Sequence, residues 1–260
     1  MKLDLIQSER RALTAVDVDE ELTTWAGTAN SKGLQWKSVI HWNHSRVRGA
    51  MHASSFQSDC DMKLYLDRIG DKPQSKSPPD MVKRFDLGTA AHSVMAYYQG
   101  TRAEYYGYGY YDEVSINDSD LAVELHLCGS VDGVSVGWPL RRRIIWEYKT
   151  ISLRGAMKLK SPPLYYVKQV HVYMACLGIP MTIMTFIVKD DTRFISFRVP
   201  FSASLWEQLL QRIKRVNAAA DRGVAPIRRS GQNCAFCGHR KTCDPQLNPH
   251  ALTDIVPEFA

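Results

Sequence analysis

Polar and apolar positions along this chain follow two periodicities, and the switches between them outline its elements. Residues 54–70 read as a helix running through Cys60, Leu64, Tyr65 and Leu66 to Gly70, with Ser54 and Ser55 available as caps. Residues 72–79, rich in Lys, Pro and Ser, read as a loop, and a second helix is predicted from about 80 to 99. The period then changes to two. Residues 105–115 and 121–136 read as strands, the latter placing Leu121, Val123, Leu125 and Leu127 on one side and Asp132 on the other. Residues 144–150 are the clearest strand: Ile144, Trp146 and Tyr148 share one side, Glu147 and Lys149 the other.

A helix over residues 164–177, ended by Gly178 and Pro180, carries a stripe of Val167, Val170, Met174 and Leu177. Gln169, Tyr173 and Tyr166 occupy its neighbouring face. Two strands, 181–188 and 193–199, flank a polar turn. A final helix over 203–222 is expected to bury Leu205, Leu209 and Val216 and to expose Arg212, Lys214 and Arg215. The order predicts an α/β protein with a mixed central sheet flanked by helices, its first three strands an antiparallel meander. The first 50 residues pattern weakly, with a short helix at 17–25 and a strand or loop at 33–42, and read as an N-terminal appendage.

Composition narrows the classes. At 260 residues, 45% hydrophobic and 23% charged, the chain suits a single large domain with appendages. A net charge of +6 favours a polyanionic partner. No apolar run approaches the roughly 20 residues of a membrane span. The N-terminus lacks the pattern of a secretory signal, so a cytoplasmic protein with reduced cysteines is expected. No Gly-x-x-x-x-Gly-Lys-Ser/Thr motif occurs, which excludes that route to ATP hydrolysis.

Four residues carry candidate chemistry. Glu147 and Lys149 put a carboxylate beside an ammonium on one strand face, Asp132 stands in Gly-Ser-Val-Asp-Gly, and His92 lies four residues after Gly88 on a helix. Oxygen donors suit Mg²⁺ or Mn²⁺, with imidazole accepted by Mn²⁺. Lys149 would orient a water or offset charge on a phosphate. Taken singly, each has an ordinary reading: a turn acid, a core histidine, a surface ion pair. Gly88, inside a helix, suggests that something packs closely there.

Taken in order, Gly88-x-x-x-His92, Gly-x-x-Asp132-Gly, Glu147-x-Lys149 and Gln169-x-x-x-Tyr173 resemble the motif series of the PD-(D/E)xK nuclease superfamily, in its RecB-type branch. The Pro that often precedes the first acid is absent here, where Ser130-Val131 stand before Asp132. The resemblance implies a restriction-endonuclease-like core. It also implies that His92, Asp132, Glu147 and the Tyr148 backbone carbonyl hold Mg²⁺ or Mn²⁺, that Lys149 is catalytic, and that Gln169 and Tyr173 lie near the DNA.

Cys234-x₂-Cys237-x₅-Cys243 has metal-ligand spacing but supplies three thiolates where four ligands are usual. The local candidate for a fourth is His239, which would give a Cys₃His zinc site; the distant candidate is Cys60; unliganded thiols are the remaining alternative. The same branch includes AddB and the CRISPR-associated exonucleases, which carry one cysteine before the core and a Cys-x₂-Cys-x₅-Cys after it. That resemblance implies a [4Fe–4S] cluster on Cys60, Cys234, Cys237 and Cys243, bounding a nuclease domain at 51–245 with a tail at 246–260. Cys128 and Cys176 read as core. Expected is an exonuclease preferring single-stranded DNA. The alternatives are a non-catalytic DNA-binding module of the same fold and a nuclease subunit in a recombination or CRISPR-adaptation complex. Lys83, Arg84, Arg141–Arg143, Lys158, Lys160, Arg212, Lys214 and Arg215 are candidate phosphate contacts. Tyr165, Tyr166 and the aromatics of 105–111 are candidate base-stacking residues.

Overall fold

The computed structural model describes residues 47–72, 79–137, 142–228, 234 and 237–243. The weakly patterned N-terminal elements at 17–25 and 33–42, the turn at 138–140 with Arg141, and the tail at 246–260 lie outside these, as does the side chain of Arg84.

Five strands form the main sheet: β2 (Gly109–Ser115), β4 (Ser130–Val136), β5 (Arg143–Ile151), β6 (Met181–Val188) and β7 (Phe194–Pro200), in the order β2-β4-β5-β6-β7. β2–β4–β5 is the expected antiparallel meander, β5–β6 is parallel, and β6–β7 is antiparallel. A parallel pair needs a long crossover, here made by α4 (Leu153–Ala156) and α5 (Leu164–Leu177). A small parallel pair, β1 (Met51–His52) with β3 (Leu127–Cys128), stands apart.

The alternation along β5 divides the core into two layers. Ile144, Trp146 and Tyr148 pack with Met95 of the long helix α2 (Pro79–Tyr106) on one face. Ile145 belongs to the opposite layer, with Phe56, Val170, Met174, Leu209 and Ile213. Those residues come from the 3-10 turn Ala53–Gln57, from α5 and from α6 (Ala203–Asp221). Each such side chain, once fully buried, contributes about 1.5–3 kcal/mol. Among the described residues no helix is long and apolar enough to cross a membrane.

Five expectations fail. The alternating residues 121–127 do not begin a strand. Ser119 accepts a hydrogen bond from the Ala122 amide at 3.2 Å and starts α3 (Asp120–Leu125), which buries Ala122 and Leu125 three apart and leaves Val123 exposed. Six residues fit a period of two as well as a turn of helix, and the cap decides. Ser54 and Ser55 build the 3-10 turn instead of capping a helix, and α1 (Asp61–Arg68) starts after Cys60. Arg212, expected in solvent, is buried: its guanidinium meets Asp61 at 2.6 Å and lies 5.9 Å over the Phe56 ring. Gly88 has no close neighbour either; a Cβ there would meet nothing within 4 Å. Helix α2 also continues through Gly100 to Tyr106, so the strand after it begins later than the aromatic run suggested.

Candidate active site

Local backbone geometry opens the site. The pairing of β4 with β5 runs from Val136 opposite Arg143 to Gly133 opposite Trp146. Beyond it, Asp132 turns a carboxylate oxygen to the Tyr148 amide, which donates at 2.6 Å. That bond ties the acid of one strand to the strand carrying Glu147 and Lys149. The two glycines around Asp132 are both required. Gly129 has φ +145°, which an L side chain rarely adopts, and a Cβ on it would stand 3.2 Å from the Tyr173 ring. At Gly133 a Cβ would fall 2.3 Å from the Tyr110 hydroxyl, because that ring lies across the backbone.

The four candidate residues meet as two pairs, His92 with Asp132 and Lys149 with Glu147. His92 on α2 packs edge-on to the Tyr148 ring at 6.1 Å and places Nδ1 3.0 Å from Asp132 Oδ1. Lys149 donates to Glu147 Oε1 at 2.5 Å and holds its ammonium 5.0 Å over the Tyr166 ring. Among the described residues, no three His, Cys, Asp or Glu side chains already converge as a metal cage. The carboxylates are paired with His92 and Lys149.

The charges explain why such a site has a use for a cation. Burial pushes the Glu147 carboxyl up to about 7 against the pull of Lys149, and the Asp132 charge adds to the rise. Its second oxygen, Oε2, is buried with no hydrogen-bond partner. An orphaned, desolvated carboxylate oxygen is costly unless something positive meets it. Asp132 is also desolvated, yet His92, Lys149 and the Tyr148 amide hold it below the usual carboxylate range. Burial alone would lower both cationic partners; Asp132 outweighs it at His92, and Glu147 with Asp132 outweighs it at Lys149, so both are raised. Lys149 therefore stays an ammonium at neutral pH. The oxygen-rich donor set of Asp132 and Glu147, with imidazole at hand, fits Mg²⁺ or Mn²⁺.

Gln169 and Tyr173 stand next to this centre and are more buried than a helix flank would be. Gln169 Nε2 donates to the Tyr173 hydroxyl at 3.0 Å, and Glu147 is near enough to raise the Tyr173 hydroxyl's pKa beyond what burial does. A third member was not legible in the sequence. Gln57, in the 3-10 turn, donates to Gln169 Oε1 at 2.7 Å across 112 positions of chain. This fixes which way the Gln169 amide points, and no local pattern announces it.

Overlay on solved structures adds the fold. An alkaline exonuclease, LHK-Exo from Laribacter hongkongensis, aligns with 67% of this chain and 89% of its own at 15% identity and a TM-score of 0.50. The fold is that of the exonuclease. Its complex with dAMP aligns over 70% of this chain and 92% of its own, at 17% identity and the same TM-score. The crystal structure of SSO0001 overlays more loosely, at 12% identity and a TM-score of 0.46 over 87% of this chain and 96% of that one. No family model and no curated protein sequence matches the chain. The architecture shared with the exonuclease is a mixed sheet flanked by helices.

The cysteines gather elsewhere. Cys60, Cys234, Cys237 and Cys243 line one cavity of about 190 Å³, together with Lys63 and Arg228. The sulfurs of Cys60 and Cys234 are close enough to raise the thiols of both Cys237 and Cys243, burial being the larger cause. His239, the alternative fourth ligand, has another task. Its Nδ1 meets Asp71 at 2.7 Å and its Nε2 meets Asp67 at 2.8 Å, so both ring nitrogens are engaged. Ser55 donates to the other oxygen of Asp67 at 2.6 Å. His239 thus clamps the segment 237–243 onto α1 and the turn after it. Cys128 and Cys176 are buried in the core, as the sequence suggested.

Proposed function

We propose that this protein is a metal-dependent deoxyribonuclease, an exonuclease preferring single strands, with a structural [4Fe–4S] cluster on Cys60, Cys234, Cys237 and Cys243. One observation carries the catalytic part: on a nuclease fold, Glu147 keeps a buried, unpartnered carboxylate oxygen beside Asp132 and Lys149. Asp132, Glu147, His92 and the Tyr148 carbonyl would hold Mg²⁺ or Mn²⁺. A bound divalent ion supplies an acidified water and offsets charge on the phosphate. The chain's own residues do the rest. Lys149 meets the negative charge that grows on the scissile phosphate. Gln169, held by Gln57, keeps the Tyr173 hydroxyl in place against the same pocket. Four thiols lining one cavity suit an iron–sulfur cluster, which would tie Cys60, just before α1, to Cys234, Cys237 and Cys243.

End-labelled single- and double-stranded DNA, incubated with Mn²⁺, should be shortened from its ends, the single strand faster. EDTA should stop the reaction. If neither Mg²⁺ nor Mn²⁺ supports cleavage of any DNA, the reading is wrong; cuts in closed circular DNA would replace exonuclease by endonuclease.

Metal binding should depend on pH with a definite sign. Glu147 titrates near 7 in the folded protein against an ordinary value of 4.5. The protonated form is therefore favoured by folding. Its contribution to metal-free stability is complete below about pH 4.5 and is lost as pH rises through about 7. A cation binds the carboxylate, and neutral His92, so it does most where they are deprotonated. The rise in Tm on adding Mn²⁺ should be small at pH 5.5 and grow across neutrality, and Glu147→Gln should flatten that growth. A Mn²⁺-induced shift of the same size at every pH would contradict the role of Glu147.

Gln57→Leu keeps the shape but releases the Gln169 amide. Cleavage should slow by about two- to tenfold, the worth of one net hydrogen bond, with kcat falling more than KM rises. An unchanged kcat would leave Gln57 a packing residue.

A further inference from the structure

The segment that follows the Lys149 strand, residues 153–165, combines two features that a solvated connection does not need. Met157, Leu164 and Tyr165 are 79%, 60% and 44% exposed, so three large apolar side chains stand in water within one short crossover. Arg154 before them and Lys158 and Lys160 between them are exposed as well. From residue 149 through 189 the chain contains no Asp or Glu. The acid that follows, Asp190, accepts from the Leu153 amide at 2.6 Å and serves as a cap. An apolar surface rimmed mainly by cations is poorly suited to water and suited to a polyanion with apolar faces.

Aromatic rings connect this surface to the reacting centre. The Lys149 ammonium lies 5.0 Å over Tyr166, and the Tyr166 ring stands 4.4 Å from that of Tyr165, which reaches solvent. A strand whose phosphate sits at Lys149 therefore has the Tyr165 face within reach of a neighbouring base. Paired bases are stacked on each other inside a duplex and cannot use such a face. Unpaired bases can.

We propose that residues 153–165 form the surface that holds single-stranded DNA at the site, Tyr165 stacking on a base and Lys158 and Lys160 meeting phosphates. This rests on the nuclease reading above and assigns its strand preference to named residues. Stacking selects the unpaired strand, and the lysines supply affinity that any DNA backbone shares.

The test is binding in EDTA, without turnover, followed by fluorescence anisotropy on labelled oligo-dT, an abasic oligonucleotide of equal length and a duplex. The wild-type protein should prefer oligo-dT to the abasic strand by roughly 5- to 100-fold, the range for one stacked base. Tyr165→Ala should lose that preference and Tyr165→Phe keep it. Replacing Lys158 and Lys160 together by Ala should weaken binding to oligo-dT and abasic strand alike and flatten the salt dependence by about 0.7 per lysine. Unchanged Tm of each variant excludes unfolding. The proposal is overturned if wild type binds both strands equally, or if Tyr165→Ala still prefers oligo-dT. A protein that shows the Tyr165-dependent preference yet cuts no DNA with Mn²⁺ fails the nuclease reading alone; one that cuts DNA without that preference fails this proposal alone.

Discussion

Lys149→Ala is expected to reduce DNA cleavage by at least ~100-fold, the usual cost of deleting one preorganised charge from a site of this kind, while leaving DNA binding largely intact. Two effects add. The developing negative charge loses its ammonium, which stands 2.5 Å from Glu147 and is held as a cation by Glu147 and Asp132. Glu147 meanwhile loses the partner that lowers its pKa, so more of it is protonated at neutral pH and metal affinity drops. Saturating Mn²⁺ separates the two, since it recovers only the second. Binding persists because exposed cations such as Lys158, Lys160, Lys214 and Arg215 are untouched. Wild-type rates for this variant at saturating metal would end the assignment of Lys149 to the reaction.

The second large effect is at the cysteines. The purified protein is expected to be brown, and Cys60→Ser to lose both colour and solubility, because binding free energy at a structural metal site is also folding free energy. Cys60 lies immediately before α1, and Cys243 ends α7 (Arg240–Cys243). A cluster between them would close a loop of most of the chain. His239 bound to Asp67 and Asp71 would keep part of that contact without it. Cys176→Ala, in the core, should keep the colour. Colourless wild-type protein containing stoichiometric zinc would falsify the cluster.

Much of the site was legible because its chemistry is local. Glu147 and Lys149 share a face by strand periodicity alone, and Gln169 and Tyr173 are bonded because four residues make about one helical turn. Glycines around Asp132 announced a special backbone, although only the structure shows what they accommodate: the rings of Tyr173 and Tyr110. Short segments were the weak point. Residues 120–125 satisfy both periods, and Ser119 chooses the helix.

The sequence by itself determined the run of main-sheet strands and long helices along the chain, the two faces of β5 and the residue types available for a metal, since these depend on neighbours a few positions apart. Tertiary structure alone decided what each buried polar group does. Arg212 left solvent because Asp61, 151 positions away, meets it. His239 became a clamp because Asp67 and Asp71 close on both its nitrogens. Gln57 entered the site only by folding onto α5. A desolvated charge or amide must find a partner, and folding, not spacing along the chain, determines which partner is within reach. The Glu147–Lys149 pair shows both at once: its side of the strand was set by alternation, and its unpaired oxygen and raised pKa by the protein packed around it.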